Sequence, residues 1–162
     1  MKKIRWAILG AARVNERLIP AIINSQQGEL VAIGSRRENS AEECIKKYAK
    51  EHIKNIECHK GFDSILKNQE IDAIYIPLSN EEHTQVALEA INNKKHVLIE
   101  KPMAIKSQEV ELLISEAKKN DVKIMEGFMY AFHPQFDRIQ NIISSSILGE
   151  INYAHSMFSF PI

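Results

Sequence analysis

The sequence predicts an α/β protein built around a doubly wound, mostly parallel sheet. Short apolar runs alternate with longer segments of helical periodicity over most of its 162 residues, as in a parallel sheet covered by helices. The first run, residues 4–9, leads into a turn of small residues. A later run, residues 96–99, ends at the charged pair Glu100 and Lys101. Ligands of such sheets bind at the carboxyl ends of the strands, which is where we expect both segments to lie.

Six strands and six helices follow from this alternation. We predict strands at residues 4–9, 30–34, 57–59, 71–76, 96–99 and 123–126. We predict helices at residues 14–24, 41–52, 63–67, 81–92, 108–120 and 134–144. Ser40 and Glu43 have the spacing of a capping box at the start of the second helix. Right-handed crossovers between the strands would then place helices on both faces of one sheet.

The last part of the chain breaks the alternation, because residues 150–160 have the pattern of a strand that no second strand follows. An unpaired strand of this length exposes backbone groups that another domain or chain usually covers. We therefore expect either that another chain covers this strand, as part of a C-terminal sheet, or that the sequence is a fragment of a larger protein. A homo-oligomer formed through this C-terminal sheet is the corresponding prediction for the assembly.

Composition favours a globular protein of the cytoplasm. The 21 basic and 21 acidic residues balance, and no block of like charges recommends a nucleic-acid or membrane partner. No apolar run has the length of a membrane span, and the N-terminus lacks the pattern of a signal peptide. Cys44 and Cys58 lie in different predicted elements, so we expect reduced thiols, and the histidines and cysteines have no spacing typical of a metal site.

The loop after the first predicted strand, Gly-Ala-Ala-Arg-Val-Asn, stands in the place of a glycine-rich phosphate loop. Gly10 permits a tight turn, and the small Ala11 and Ala12 let a pyrophosphate approach the backbone. Arg13 and Val14 complete the loop before a helix whose first N–H groups can bind phosphate. Small residues in this place can also serve only to pack a strand against a helix, so the motif alone leaves both interpretations open.

Ser35, Arg36 and Arg37 follow the second strand, where an NAD-specific site usually has an acidic residue that binds the ribose 2′-hydroxyl. Two guanidinium groups and a hydroxyl suit a 2′-phosphate instead, because arginine offers a planar fork of donors. We therefore predict NADP as the preferred cofactor and NAD as the alternative; a solvated basic turn would have the same sequence. The missing acid also counts against a methyltransferase that binds S-adenosylmethionine.

The fourth predicted strand leads into Pro77, Leu78 and Asn80, and His83 follows in the first turn of the next helix. Taken singly, these residues have ordinary structural interpretations, with Asn80 as the helix N-cap and His83 as a polar surface residue. Lys101 follows the neighbouring strand in the predicted sheet. The three polar side chains are therefore expected to cluster at adjacent strand ends, which predicts a binding site.

Lys101 is the candidate catalytic residue, because its ammonium group can hold a substrate oxygen and share a proton with it. Pro102 restricts Lys101 to extended geometry and favours a rigid turn. The structural alternative is an ion pair between Lys101 and Glu100.

Together, these segments resemble the Gfo/Idh/MocA family of oxidoreductases, which includes glucose–fructose oxidoreductase and inositol dehydrogenase. The likeness covers essentially the whole chain and extends toward the trans-dihydrodiol and xylose dehydrogenases. The stretches that carry it are Ile-Leu-Gly-Ala-Ala-Arg-Val at 8–14, Tyr-Ile-Pro-Leu-Ser-Asn at 75–80 with His83, Lys-His-Val-Leu-Ile-Glu-Lys-Pro at 95–102, Glu-Gly-Phe-Met-Tyr at 126–130 and Phe-His-Pro-Gln at 132–135.

The resemblance implies that residues 1–148 form an N-terminal Rossmann domain that binds a nucleotide, and that residues 149–162 begin a C-terminal α/β substrate domain. The rest of that domain, which supplies an acid/base histidine or tyrosine, is absent from the sequence. It also implies that Lys101 orients the substrate and assists proton transfer, and that Glu100 and Asn80 face the cofactor.

Three residues depart from the family pattern. Ala12 stands where many members have the second glycine, although some have alanine. Asn15 replaces a small residue, which we expect to shift the pyrophosphate, and Ala131 stands where similar sequences have arginine.

These observations predict an NADP-preferring oxidoreductase that transfers hydride between nicotinamide and a sugar or cyclic polyol. As a piece of 162 residues, the chain is expected to bind cofactor but to turn over little substrate. The alternative from another class is a non-catalytic module with the same fold that senses a nucleotide or binds a partner.

Overall fold

The computed structural model describes residues 2–159, and the chain divides between Gly127 and Phe128 into two compact units. The first unit contains one parallel sheet whose six strands lie in the order β3-β2-β1-β4-β5-β6. The strands are β1 (Ile4–Leu9), β2 (Gly28–Ser35), β3 (Glu57–Lys60), β4 (Ala73–Ile76), β5 (His96–Ile99) and β6 (Ile124–Glu126). The predicted class, a doubly wound parallel α/β sheet, is confirmed.

Helices connect the strands in the predicted alternation. The α-helices of the first unit are α1 (Asn15–Asn24), α2 (Ser40–Tyr48), α3 (Asp63–Lys67), α4 (Asn80–Asn92) and α5 (Ser107–Lys119). A short 3₁₀ helix at Lys50–His52 follows α2. The longest of these helices have 13 residues. No helix within residues 2–159 has both the length and the apolar character that are needed to cross a bilayer.

The central strands are mostly apolar, because both faces of the sheet are covered. All four residues of the central strand β4 are buried. Successive side chains point to opposite faces, so Leu9 and Ile76 join one core, whereas Ile8 and Tyr75 join the other. Residues of α1 and α2 belong to the core with Ile8, and residues of α3, α4 and α5 belong to the core with Leu9.

The strand order places the carboxyl ends of β1, β2, β4 and β5 along one edge of the sheet. From β1 the chain winds outward to β2 and β3, and then returns to β4 on the other side of β1. The order therefore reverses between β1 and β4, which is the switch point where open α/β sheets bind ligands. Because all six strands are parallel, the segments that follow β1, β2, β4 and β5 lie at the same edge of the sheet.

The second unit contains a 3₁₀ helix (Met129–Phe132) and α6 (Pro134–Ser144). Residues 150–159 have no regular secondary structure. A β-strand requires hydrogen bonds to a neighbouring strand, and the described residues of this unit include no such neighbour. The predicted strand at 150–160 and the boundary between residues 148 and 149 therefore stay predictions. Phe160, Pro161 and Ile162 lie outside the described residues.

The start of α2 differs from the prediction. Asn39 takes the N-cap position with a φ of 56°, and Ser40 is already the first helical residue, so the predicted capping box is wrong. Asparagine tolerates this left-handed conformation better than most residues do, and it shifts the helix start by one position. A glutamate performs the expected contact at α5, where the Glu109 carboxylate accepts hydrogen bonds from the backbone N–H groups of Ile105 and Lys106 at 3.2 and 3.0 Å.

A buried lysine holds the amino end of the sheet together. Lys95, directly before β5, is only 2% exposed. Its Nζ donates hydrogen bonds to the backbone carbonyls of Asn68 and Ile71 at 2.6 and 2.9 Å. Burial lowers the pKa of Lys95, and the charge of nearby Asp72 opposes this shift. The lysine therefore joins the segment before β4 to the start of β5.

We predict that Lys95→Met destabilises the chain by about 2–4 kcal/mol, because the buried carbonyl of Ile71 and the partly buried carbonyl of Asn68 lose their donor. The matched control is Lys94→Met. The exposed ammonium of Lys94 donates a hydrogen bond to Oδ1 of Asn120, and we expect its loss to change the free energy of unfolding by less than about 0.5 kcal/mol. Urea unfolding measures both variants. A Lys95→Met chain as stable as the control would contradict the role assigned to this side chain.

The same pair of variants tests a pH dependence. The folded state binds the Lys95 proton less tightly than the unfolded state does, so this residue stabilises most above the unfolded pKa, 10.5, and least below the folded pKa. The stability gap between wild type and Lys95→Met should therefore widen as the pH rises from neutral toward 10.5. Urea unfolding across this range would contradict the assignment if the gap narrowed.

Candidate functional site

A groove of about 430 Å³ lies over the carboxyl ends of β1, β2 and β4. Eight of its ten lining residues are predicted site residues. The predicted ones are Gly10, Ala11, Ala12, Ser35, Arg36, Arg37, Pro77 and Leu78; Phe62 and Ser79 complete the lining. The structure thus brings together three loops that are far apart in sequence.

The backbone at Gly10 lies directly against the loop that follows β4. Gly10 has a φ of 130°, and a Cβ atom there would lie 2.9 Å from Cδ2 of Leu78 and 3.6 Å from Cγ of Pro77. Its N–H donates to the carbonyl of Gly34 at 2.8 Å, which joins the loop to the end of β2. The position therefore requires glycine both for its conformation and for the space that a side chain would fill.

Asn15 supports this loop from inside the protein. The residue is fully buried, and its Nδ2 donates to the carbonyl of Gly10 at 2.9 Å and to Sγ of Cys44 at 3.4 Å. Its Oδ1 has no hydrogen-bond partner among the described residues. Burial raises the pKa of the Cys44 thiol, although Asn15 and Lys47 oppose the shift. Because the Asn15 side chain does not line the groove, the expected displacement of a pyrophosphate has no steric basis.

The residues after β2 form the basic wall of the groove. Ser35 is buried, and its Oγ accepts a hydrogen bond from the backbone N–H of Arg37 at 3.2 Å. The Arg37 side chain donates from Nη2 to the carbonyl of Ala11 at 3.1 Å, so it joins this wall to the first loop. Arg36 forms an ion pair with Glu82. Both guanidinium groups therefore lie at the groove rather than extending freely into solvent.

Arg13 and Val14 diverge from the other residues of the loop. Arg13 is exposed and lines a second cavity of about 320 Å³ that shares Ala11, Ala12 and Arg37 with the groove. Val14 is half-buried and packs against the core beneath α1 and α2. The structure thus places the Arg13 side chain beside the loop and uses Val14 for packing.

Glu100 is held by a tyrosine rather than by Lys101. Tyr75 is buried in β4, and its hydroxyl donates to Oε1 of Glu100 at 2.6 Å. Burial raises the pKa of Tyr75 well above its usual range, and the hydrogen bond to Glu100 and the charge of that carboxylate raise it further. The alternative interpretation, an ion pair between Glu100 and Lys101, is not found in the described part of the chain.

Lys101 presents a free ammonium group at the edge of the sheet. Its side chain is exposed and makes no hydrogen bond or ion pair with any residue in the range 2–159. The peptide bond between Lys101 and Pro102 is cis. The loop is held on its other side by Glu126, whose Oε1 accepts a hydrogen bond from the backbone N–H of Met103 at 2.8 Å. Lys101 is therefore an available cation on an ordered loop.

His83 lies beneath the site. The residue is fully buried, with Nδ1 2.8 Å from the carbonyl oxygen of Pro102 and Nε2 3.1 Å from that of Leu78. Both ring nitrogens are used within the chain, so His83 has no free polar atom for a ligand. The structural interpretation of His83 as a surface residue is therefore wrong. The side chain lies in the interior, where it links the loops after β4 and β5.

Asn80 is exposed at the start of α4, as expected for a residue that faces a ligand. It is the first helical residue, however, and Ser79 takes the N-cap position that the sequence assigned to Asn80. The Ser79 hydroxyl donates to Oε2 of Glu82 at 2.9 Å. The N-cap therefore lies one residue earlier than predicted, because Ser79 rather than Asn80 has the extended backbone of a cap.

The phosphate-loop candidate and Lys101 lie at the same edge, one strand apart. β4 pairs with β1 on one side and with β5 on the other, in a register that aligns Ile8, Tyr75 and Leu98. Neighbouring strands are about 4.8 Å apart, so the ends of β1 and β5 are separated by about 10 Å. One elongated ligand can therefore reach from Gly10 to Lys101.

Sequence reasoning missed four residues of this region. Ser79 directly precedes Asn80 and lines the groove, but only Asn80 was assigned to the site. Tyr75 could have been found, because a hydroxyl in an otherwise apolar central strand needs a partner. Phe62 follows the glycine at the end of β3, and its place after a strand was the only signal. Glu82 had no signal in the sequence, since its partner Arg36 is 46 positions away.

Comparison with known proteins agrees with this geometry. Residues 4–128 match the oxidoreductase family with an NAD-binding Rossmann fold. The dTDP-3,4-didehydro-2,6-dideoxy-α-D-glucose 3-reductase of Actinomadura kijaniata is 29% identical over 159 residues, which cover 98% of this chain and 46% of the reductase. Trans-1,2-dihydrobenzene-1,2-diol dehydrogenase of Xenopus laevis is 29% identical over 161 residues, which cover 98% of this chain and 47% of the dehydrogenase.

A solved structure gives the same result. The crystal structure of KijD10, a 3-ketoreductase from Actinomadura kijaniata in complex with NADP and TDP-benzene, superposes with a TM-score of 0.83 at 29% identity, covering 92% of this chain and 44% of that protein. The chain thus spans less than half the length of the proteins it matches. The family match extends over most of the chain and includes the groove and Lys101. The chain belongs to the Gfo/Idh/MocA oxidoreductase family and carries its NAD-binding Rossmann fold.

Proposed function

We propose that this chain is the cofactor-binding part of an NADP(H)-preferring oxidoreductase that transfers hydride between nicotinamide and a sugar or cyclic polyol. The observation that carries the proposal is the free ammonium of Lys101 at the same sheet edge as a groove lined by Gly10, Arg36 and Arg37. The NADP in the KijD10 complex supports the choice of cofactor. The sugar-nucleotide and cyclic-diol substrates in the names of the relatives support the substrate class.

The residues present fit a dinucleotide. Gly10, Ala11 and Ala12 line the groove with no side chain larger than a methyl group, which leaves the backbone of this loop open to a pyrophosphate. Ser35, Arg36 and Arg37 would hold the 2′-phosphate. When bound, the nicotinamide supplies or accepts the hydride.

Four further residues would bind the nicotinamide half of the cofactor. Pro77 and Leu78 form the wall opposite Gly10, and Asn80 is exposed at the helix start that follows them. Glu100, positioned by Tyr75, would lie on the other side. His83 does not reach a ligand in this arrangement, but it positions the loops on which Leu78 and Lys101 lie.

Lys101 would act on the reacting oxygen of the substrate. When a carbonyl is reduced, negative charge develops on its oxygen, and a nearby ammonium group stabilises that charge. The Nζ of Lys101 can then donate a proton to the oxygen, or take one back in the oxidative direction. Substrate walls and an acid/base histidine or tyrosine would come from residues beyond 148. We therefore expect little turnover by the 162-residue chain alone.

Cofactor preference can be tested by calorimetry with NADPH and NADH. We predict that Ser35→Ala combined with Arg36→Ala weakens NADPH binding by about 10-fold to 100-fold, because charged hydrogen bonds to the 2′-phosphate are lost. NADH binding should change little. Arg17→Ala is the control, since Arg17 is exposed on α1 and does not line the groove. Equal losses for both cofactors would show that the specificity argument is wrong, and no binding of either by the wild type would end the proposal.

The phosphate loop can be tested by Gly10→Ala. We expect this change to lower the stability of the chain by more than about 1 kcal/mol and to weaken NADPH binding, because the new Cβ meets Leu78 and the backbone has a positive φ. Gly61→Ala is the matched control for stability. Gly61 also has a positive φ, of 80°, but nothing lies within 4 Å of an added Cβ. Thermal unfolding should show a smaller loss for Gly61→Ala, and the opposite order would contradict the close packing at Gly10.

The role of Lys101 can be tested with Lys101→Met in the natural gene product that carries these residues. Loss of a group that stabilises charge and transfers a proton should lower kcat/KM by about 10²-fold to 10⁴-fold. NADPH affinity should stay near the wild-type value, because Lys101 is not assigned to the cofactor phosphates. Stopped-flow absorbance of NADPH with candidate sugars and polyols measures the first quantity. Unchanged turnover would refute the catalytic role and favour a nucleotide-sensing module.

A further inference from the structure

Arg36, on the basic wall of the groove, already binds an anion from its own chain. Its Nη2 forms an ion pair with Oε1 of Glu82, which lies in the first turn of α4. The guanidinium carbon also lies 5.2 Å from the centre of the Phe62 ring. The side chain of Arg36 is 58% exposed, so the guanidinium remains accessible from the groove. The guanidinium is therefore held between the Phe62 ring and the Glu82 carboxylate. Neither residue was assigned to the site from the sequence.

Glu82 is itself fixed in place. Its second carboxylate oxygen, Oε2, accepts a hydrogen bond from the Ser79 hydroxyl at 2.9 Å. Partial burial tends to raise the pKa of Glu82, but the hydrogen bonds from Arg36 and Ser79 outweigh this effect and lower the pKa. The carboxylate is thus ionised at neutral pH, and it lies beside the cation that would meet a phosphate.

We propose that Glu82 competes with the 2′-phosphate of the cofactor for Arg36, and so reduces the preference of the site for NADP(H) over NAD(H). This inference rests on the proposed function, because it takes the 2′-phosphate to be the group that Arg36 binds. Glu82 is then a specificity-determining residue that never needs to touch the cofactor.

Arg36 is one cation with two possible anionic partners, the Glu82 carboxylate and the 2′-phosphate of the cofactor. To receive a phosphate, Arg36 must either leave Glu82 or share its donors between the carboxylate and the phosphate. Leaving breaks an ion pair, and sharing brings a phosphate with a charge of about −1.5 to −2 close to a carboxylate. Both routes weaken the binding of NADP(H). NAD(H) has a hydroxyl in place of the phosphate, so its binding meets neither penalty.

Glu82→Gln isolates the charge, because glutamine can still accept a hydrogen bond from Arg36 and keep a contact with Ser79. The probes are NADPH and NADH, together with adenosine 2′,5′-bisphosphate and 5′-AMP, titrated into the whole 162-residue chain by calorimetry. We expect Glu82→Gln to tighten the binding of NADPH and of the bisphosphate by about threefold to tenfold, as removal of one charge near a phosphate does in partly solvated surroundings. Binding of NADH and 5′-AMP should change much less.

Glu81→Gln is the matched control. Glu81 precedes Glu82 in the same helical turn, is exposed, and has no ion pair among the described residues. It therefore reports the general effect of removing one negative charge from the start of α4. A second control is Glu82→Gln in an Arg36→Ala background. The increase in NADPH affinity should disappear there, because the cation for which Glu82 and the phosphate compete is absent. Equal tightening by Glu81→Gln, or a gain that persists without Arg36, would overturn the competition.

The outcomes separate this inference from the proposed function. If the wild-type chain binds neither NADPH nor NADH, the proposed function fails and the inference fails with it. If the wild type binds NADPH and Glu82→Gln binds it equally or more weakly, only the inference fails, and weaker binding would mean that Glu82 orients Arg36 toward the phosphate. Thermal unfolding monitors whether Glu82→Gln is folded. Glu82→Asp, which withdraws the carboxylate by one methylene, should shift the preference in the same direction by a smaller factor.

Discussion

The site depends on the hydrogen-bonded alignment of β4 between β1 and β5. Because all three strands are parallel and in register, the turn at Gly10 and the ammonium of Lys101 lie at the same edge of the sheet, separated by a single strand. β4 is buried on both faces and cannot shift without opening both cores. A change in register by one residue would exchange the faces of its side chains and carry Tyr75 away from Glu100.

Buried polar side chains then hold the loops at this edge. Asn15 binds the carbonyl of Gly10, Tyr75 binds Glu100, and His83 joins the loops after β4 and β5 through two backbone carbonyls. Each of these contacts is buried or partly buried. In such surroundings a hydrogen bond is strong, and the loss of one partner lowers the stability of the protein. The groove can therefore be lined by small or exposed residues, because these buried contacts fix the loops that form it.

Prediction from sequence was most accurate where a pattern repeats along the chain. The bounds of β1 and β5 agree with the prediction at both ends, since a short and mostly apolar run is typical of a buried parallel strand. It was wrong about the caps of two helices, where Asn39 and Ser79 rather than Ser40 and Asn80 take the N-cap position. Caps depend on the backbone angles of one residue, and several neighbouring polar residues suit the position equally well.

The amino-acid sequence by itself determined the fold class, the sheet edge at which the loops meet and most of the groove lining, because these follow from local periodicity and from the rules of parallel topology. Only the tertiary structure decided how the charged and polar groups pair. Glu100 meets Tyr75 instead of its neighbour Lys101, and Arg36 meets Glu82 across 46 positions. Such pairs join side chains from different strands and helices, and no spacing along a single segment encodes them.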